Sequence, residues 1–225
     1  MKVFKLFRGR EVVCLVIIAF CACPMAADAQ KYEITPLVGA SFFGTPHLEQ
    51  MDAPNFYAQL ADSFTYGLAG GYRFTGENGD GHDEVEFRWM RQDSHLSLPQ
   101  NPIVPSSYTS SSFRPSINID SFFGDFTHEF DFQEGSKIAP FVTGSLGAAV
   151  LSAPASTATR FTFGIGAGVK IFPAPRWGFR LWAEYQPIVM HSELQRVVCA
   201  AGCVVILNGG IINQFQVSIG PAFRF

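Results

Sequence analysis

From Phe215 to Phe225 the chain alternates without a break between two kinds of residue. Phe215, Val217, Ile219, Pro221, Phe223 and Phe225 form one row, and Gln216, Ser218, Gly220, Ala222 and Arg224 the other. A period of two over this length predicts a β-strand with two chemically different sides. A strand needs about 9–11 residues to cross a bilayer, and this one is long enough. The pattern recurs upstream. Phe161 to Ile171 sets Phe161, Phe163, Ile165, Ala167, Val169 and Ile171 against Thr162, three glycines and Lys170. Trp177 to Tyr185 and Phe64 to Phe74 read the same way, and Tyr32 to Phe42, Glu84 to Gln92 and Pro140 to Val150 are noisier cases. Ser116 to Phe130 changes parity, with Ile117 and Ile119 on one side and Phe126 and Phe130 on the other, which predicts a bulge near Gly124. Eight strands result.

The connections alternate in length. Those over 44–63, 93–115 and 191–209 are long, whereas 75–83, 131–137 and 173–176 are short; only the fifth, 152–160, breaks the contrast. Membrane β-barrels of bacteria have short periplasmic turns and longer external loops, so the long set is assigned outside. Ser106 to Ser112 and Ser152 to Thr159 are small and polar and read as mobile external loops.

Residues 1–29 differ from the rest. Lys2, Lys5, Arg8 and Arg10 precede the apolar run Val12 to Phe20, and Ala27-Asp28-Ala29 offers small residues before Gln30. These three features predict a cleaved secretory signal peptide, with the barrel over 30–225. A lipoprotein signal at Cys21 or Cys23 fits less well, and there is no twin-arginine pair. Removing Lys2, Lys5, Arg8, Arg10, Glu11 and Asp28 turns 16 basic and 19 acidic residues into 12 and 17, a mature charge of −5. No basic stripe survives, which argues against nucleic acid as a partner.

Composition separates a membrane barrel from a soluble, lipocalin-like one. The chain has 23 Phe and 21 Gly but only 16% charged residues. Gly67, Gly71, Gly164, Gly166, Gly168 and Gly178 share the polar parity, where a water-facing sheet would be weakened by them. Inside a narrow barrel they make room for large residues such as Phe141 and Trp182. Aromatic residues (Tyr32, Phe42, Phe64, Phe74, Trp177, Tyr185, Phe215, Phe225) end the apolar rows, where interfacial girdles would lie. The expected fold is all-β: an eight-stranded antiparallel up-and-down transmembrane barrel in the bacterial outer membrane, with membrane lipid and lipopolysaccharide around it.

On Phe161 to Ile171 (FTFGIGAGVKI), Gly178 to Tyr185 (GFRLWAEY) and the strand ending in Phe225, the mature region resembles the small outer-membrane barrels of the OmpA, OmpX and opacity-protein type. The resemblance implies that Val217, Ile219, Phe223 and Phe225 form a C-terminal signal read by the barrel-assembly machinery. Pro221 departs from that pattern and marks either a bulge or weak pairing at the closing seam. Functions within this group are diverse, so the resemblance carries fold better than activity.

Candidate chemistry is sparse. Glu33, Arg73, Glu84, Glu86, Arg88, Lys170, Arg180, Glu184 and Arg224 fall on the inward parity and predict an ion-pair network filling the lumen, with a gated ion path as the alternative. Cys199 and Cys203 predict a disulfide in the last external loop, since C-x3-C with only His191 nearby makes a poor metal site. Glu77 to Glu84 lacks the spacing of a calcium loop and reads as a solvated turn. His191-Ser192 invites comparison with eight-stranded lipid A deacylases, but neighbours in a strand face opposite sides and cannot easily pair as base and nucleophile. No catalytic residue, cofactor or metal is expected. The expected role is non-enzymatic: envelope integrity or surface interaction through the long loops, whose Leu48, Met51, Phe56, Tyr57, Ile103, Val104 and Tyr108 either meet a partner or fold back over the barrel mouth. A narrow pore, an acyl hydrolase and a soluble binder are the other readings.

Overall fold

The structure, a computed structural model, describes residues 31–44, 59–75, 81–97, 116–130, 136–153, 156–190, 195–198, 204–207 and 210–225. Eight strands run antiparallel in chain order: β1 (Tyr32–Phe43), β2 (Ser63–Thr75), β3 (Gly81–Ser97), β4 (Ser116–Phe130), β5 (Ile138–Ala153), β6 (Ser156–Ala174), β7 (Trp177–Tyr185, continued by Ile188–Met190) and β8 (Gly210–Ile212, continued by Gln214–Arg224). Each pairs with its sequence neighbours, and β1 pairs with β8, so the sheet closes on itself. Closure removes the edges that an open sheet would expose to hydrocarbon. Proline at 187 interrupts β7 for lack of an N–H, yet the register is the same on both sides of it: Ile165 faces Tyr185 and Phe161 faces Val189.

The alternation predicts which way side chains point because successive residues leave opposite faces of a sheet. Outside, Tyr32, Tyr72, Phe74, Phe130, Trp177 and Phe223 ring the end where β1 begins and β8 ends, and Phe42, Phe64, Tyr66, Tyr185 and Phe215 ring the other. Between them lie exposed Val38, Leu68, Phe87, Phe126, Val142, Leu146, Ile165, Leu181 and Ile219. Ten residues separate Tyr32 from Phe42. At about 3.3 Å per residue and a tilt of about 40° they span ~25 Å, the height of the apolar band of a membrane barrel. Such a belt makes the closed sheet a membrane-spanning one. Beyond the upper ring the outer face of β3 and β4 turns polar: Arg91 lies 3.5 Å from both Asp93 and Asp120, and Trp89 Nε1 donates to Asp120 at 3.2 Å.

Several expectations change. No bulge occurs at Gly124: β4 keeps an unbroken register with β3 and β5, and Ile117 and Ile119 point inward with Ser121, Phe123 and Asp125. The side chains do not switch sides; the lumen itself changes from polar to apolar along its length. Pro221 makes no bulge either, since the β1–β8 register is the same above and below it. The slip that does occur lies between Ile171 and Ala174, at Pro173. Residues 152–160 are not a loop, because β5 and β6 pair out to Ala153 and Ser156, leaving a connection of two residues. β3 runs from Gly81 to Ser97, beyond the expected 84–92, so half of the Glu77–Glu84 stretch is strand, with Asp83 outward beside His128 and Glu84 inward. Apart from the eight strands, Gln59–Leu60 pairs with the end of β3, and Gln195–Val198 pairs with Val204–Leu207 as a hairpin. The N-terminal stretch 1–29, Cys199 and Cys203, and His191-Ser192 lie outside the described residues, as do the apolar residues named in the first two long loops.

Candidate functional site

The lumen is the candidate site, and its chemistry is layered from the terminus end upward. In the lowest layer β1, β3, β4 and β6 bring Glu33, Glu84 and Glu129 around Lys170, whose Nζ lies 2.8, 2.5 and 2.6 Å from their carboxylate oxygens. Arg224 holds Glu33 at 3.0 Å and Glu129 at 3.2 Å, and Arg73 holds Glu129 at 2.8 Å. Three carboxylate oxygens this close, within 4.8 Å of one another, have the donor chemistry of a divalent-cation site. Here the Lys170 ammonium takes the position a metal would need. A buried carboxylate without a cation would be costly, and the lysine supplies one for all three.

Above it, Arg180 Nη1 meets Glu86 at 2.5 Å, and Thr127 Oγ1 donates to the other oxygen of Glu86 at 3.0 Å. Arg88 occupies the next layer and grips two acids at once. Its Nε and Nη2 donate to Asp125 at 2.7 and 3.1 Å, and its Nη1 and Nη2 to Glu184 at 2.5 and 3.1 Å. Ser145 and Gln186 each donate to Glu184 at 2.6 Å, so both acid oxygens are saturated. The guanidiniums are also stacked. Arg88 and Arg180 each lie 4.5 Å from the Trp182 ring centre, with Phe123 and Phe141 at 4.4 and 4.7 Å from the one and the other. Planar guanidinium suits both tasks, forked donation and ring stacking, in a way that lysine does not.

A layer of amides follows. Gln92 and Gln214 exchange hydrogen bonds of 3.2 and 3.1 Å, and Gln214 donates to Ser41 at 3.0 Å. The far mouth is hydrocarbon: Leu60, Ile117, Ile119, Ala149, Leu151, Ile188, Met190 and Ile212 pack together with Phe43 and Ala153 at their margin. Leu60, from the first long connection, folds back into the mouth. Glycine makes the packing below possible, since a Cβ on Gly168 would stand 2.5 Å from the Phe141 ring and 2.7 Å from Cβ of Trp182.

The nine inward charges named from sequence all lie in this lumen and belong to these layers. Asp125 and Glu129 were missed because the expected bulge put them in doubt, although Phe122, Phe126 and Phe130 outward already implied them inward. Val217, Ile219, Phe223 and Phe225 lie on the outer row of β8, away from the lumen.

No protein-family model and no curated protein matches the chain. Solved structures do. Neisserial surface protein A is 16% identical, with a TM-score of 0.51 over 88% of this chain and 98% of that one. The outer membrane protein AlkL in lipid bilayers is 12% identical, with a TM-score of 0.53 over 90% and 94%. At such identity the likeness is one of fold. With the apolar belt, it makes the chain a small eight-stranded barrel of the bacterial outer membrane.

Proposed function

We propose that the protein is a non-conducting, non-enzymatic barrel of the outer membrane that acts as a rigid platform for contacts made by its long external connections. One observation carries this reading: among the described residues the lumen is filled by paired charges, stacked rings and then hydrocarbon, with no polar path from end to end. Eight strands enclose just enough space for such a filling. Outer-membrane lipid and lipopolysaccharide surround the barrel, the C-terminal row serves the assembly machinery, and residues 1–29 are the export signal removed before Gln30.

Planar-bilayer recordings test the sealed lumen, with no stable single-channel steps expected; large, regular steps would overturn it. Replacing residues 45–58 by a Gly/Ser linker, which leaves Leu60 in place, tests the platform role. Adhesion to a surface should fall while the barrel still folds; unchanged adhesion for this and for an equivalent replacement of 98–115 would remove the reading. Lipid A from expressing cells should keep all its acyl chains, and loss of one would point to His191 and Ser192 instead.

A further inference from the structure

The wall has a weak step at the seam where β1 meets β8. Glu33 pairs with Arg224, Ile34 with Phe223 and Val38 with Ile219, but no pairing spans Thr35, Pro36 and Leu37. The same three residues pair without a break to Ala69, Leu68 and Gly67 of β2, and Gly220, Pro221 and Ala222 pair to Arg180, Phe179 and Gly178 of β7. The gap is therefore confined to this one ladder. Its constant register sets Pro36 directly opposite Pro221, and both face the lipid side.

Tyr32 and Phe225 exchange both backbone bonds, at 3.2 and 2.9 Å. In an antiparallel ladder such exchanging pairs recur at every second residue, so Pro36 and Pro221 are a pair that should exchange two more. Neither has an N–H, and both bonds are absent. The Pro36 carbonyl instead rests against Gly220, where any Cβ would collide with it. Hydrocarbon offers no water to replace a missing ladder bond. Behind the step the lumen is lined by Leu37, with Ala69, Met90, Phe141 and Trp182 close by, and by Thr35, whose hydroxyl is bonded to Glu33 at 3.5 Å, so parting the strands here uncovers an apolar patch and one hydroxyl that keeps its partner. Just below, the Arg224–Glu33 ion pair of 3.0 Å clasps the two strands together.

We propose that the Pro36–Pro221 step is a built-in parting point, where the wall opens first while the other seven ladders stay paired. The clasp beneath it and the paired strand ends above it confine the opening to mid-membrane. The test is backbone amide exchange of the full barrel in lipid nanodiscs, read by NMR. The Ile34, Val38, Ile219 and Phe223 amides should exchange at least tenfold faster than amides at the same depth in the β4–β5 ladder. In the double variant P36V/P221V, which restores both donors, they should slow at least tenfold, and the folded form should resist heating in detergent to a higher temperature. Equal protection of the two ladders in the native chain overturns the proposal, whether or not the variant folds. A folded variant with unchanged seam exchange overturns it as well.

Discussion

Lys170 is bonded to three acids of the lumenal network, and Lys170→Met makes its contribution quantitative. Methionine keeps the length of the side chain and removes the charge. Glu33 and Glu129 retain Arg224, and Glu129 also retains Arg73, but the cation bonded to Glu84 is lost. Breaking a buried pair by removing one partner costs about 3–5 kcal/mol. At pH 7 a loss of about 4 kcal/mol, the middle of that range, is expected. Urea unfolding of wild type and variant in detergent micelles measures this. K170M/E84Q, which removes the stranded acid, should recover most of the loss. A deficit under about 1 kcal/mol, the size of an exposed pair, would refute the reasoning.

Three further outcomes are expected. Gly168→Val should prevent folding, because the added atoms meet Phe141 and Trp182, whereas Gly70→Val, with open space on the lipid side, should fold at wild-type yield; a gel that separates folded from unfolded barrel reads both. Phe87→Arg in the middle of the lipid-facing belt should cost about 2–4 kcal/mol in unfolding from lipid vesicles, and a stabilised or unaffected barrel would contradict the membrane placement. Cys199 and Cys203 should be found joined by mass spectrometry of protein from intact cells, the hairpin register having brought their chain neighbours Val198 and Val204 opposite each other; two free thiols would remove that bond.

How much of this could be read along the chain depends on whether the two faces of a strand differ in chemistry. Where they do, as in Phe215 to Phe225 or Phe161 to Ile171, strand, side and direction were all legible. In the outer third of the barrel the difference inverts. Ile117 and Ile119 point inward while Ser116, Asn118 and Asp120 face outward, the reverse of Phe122 to Phe130, so alternation there suggested a change of sides and a bulge. Thr157 to Arg160 failed for a different reason: with small and polar residues on both sides, a paired strand reads as a loop. Membership of the charge layers followed from parity, but the pairings did not. Arg88 meets Asp125 and Glu184 across 37 and 96 residues, and Arg224 meets Glu33 across 191, distances over which sequence holds no record of contact.

The hydrocarbon stopper at the outer mouth has a consequence for what the cell's surroundings can do to the ionic lattice. Among the described residues, counterions and protons entering this mouth meet Leu60 and Ile117 before any charge of the lumen, while at the opposite end the side chains of Arg73 and Arg224 keep 11% and 10% of their surface open. Ions reach the lattice more directly from that opposite mouth. With the long connections outside, as proposed, acid or brine there should leave the lattice untouched, and the periplasm is the compartment it answers to.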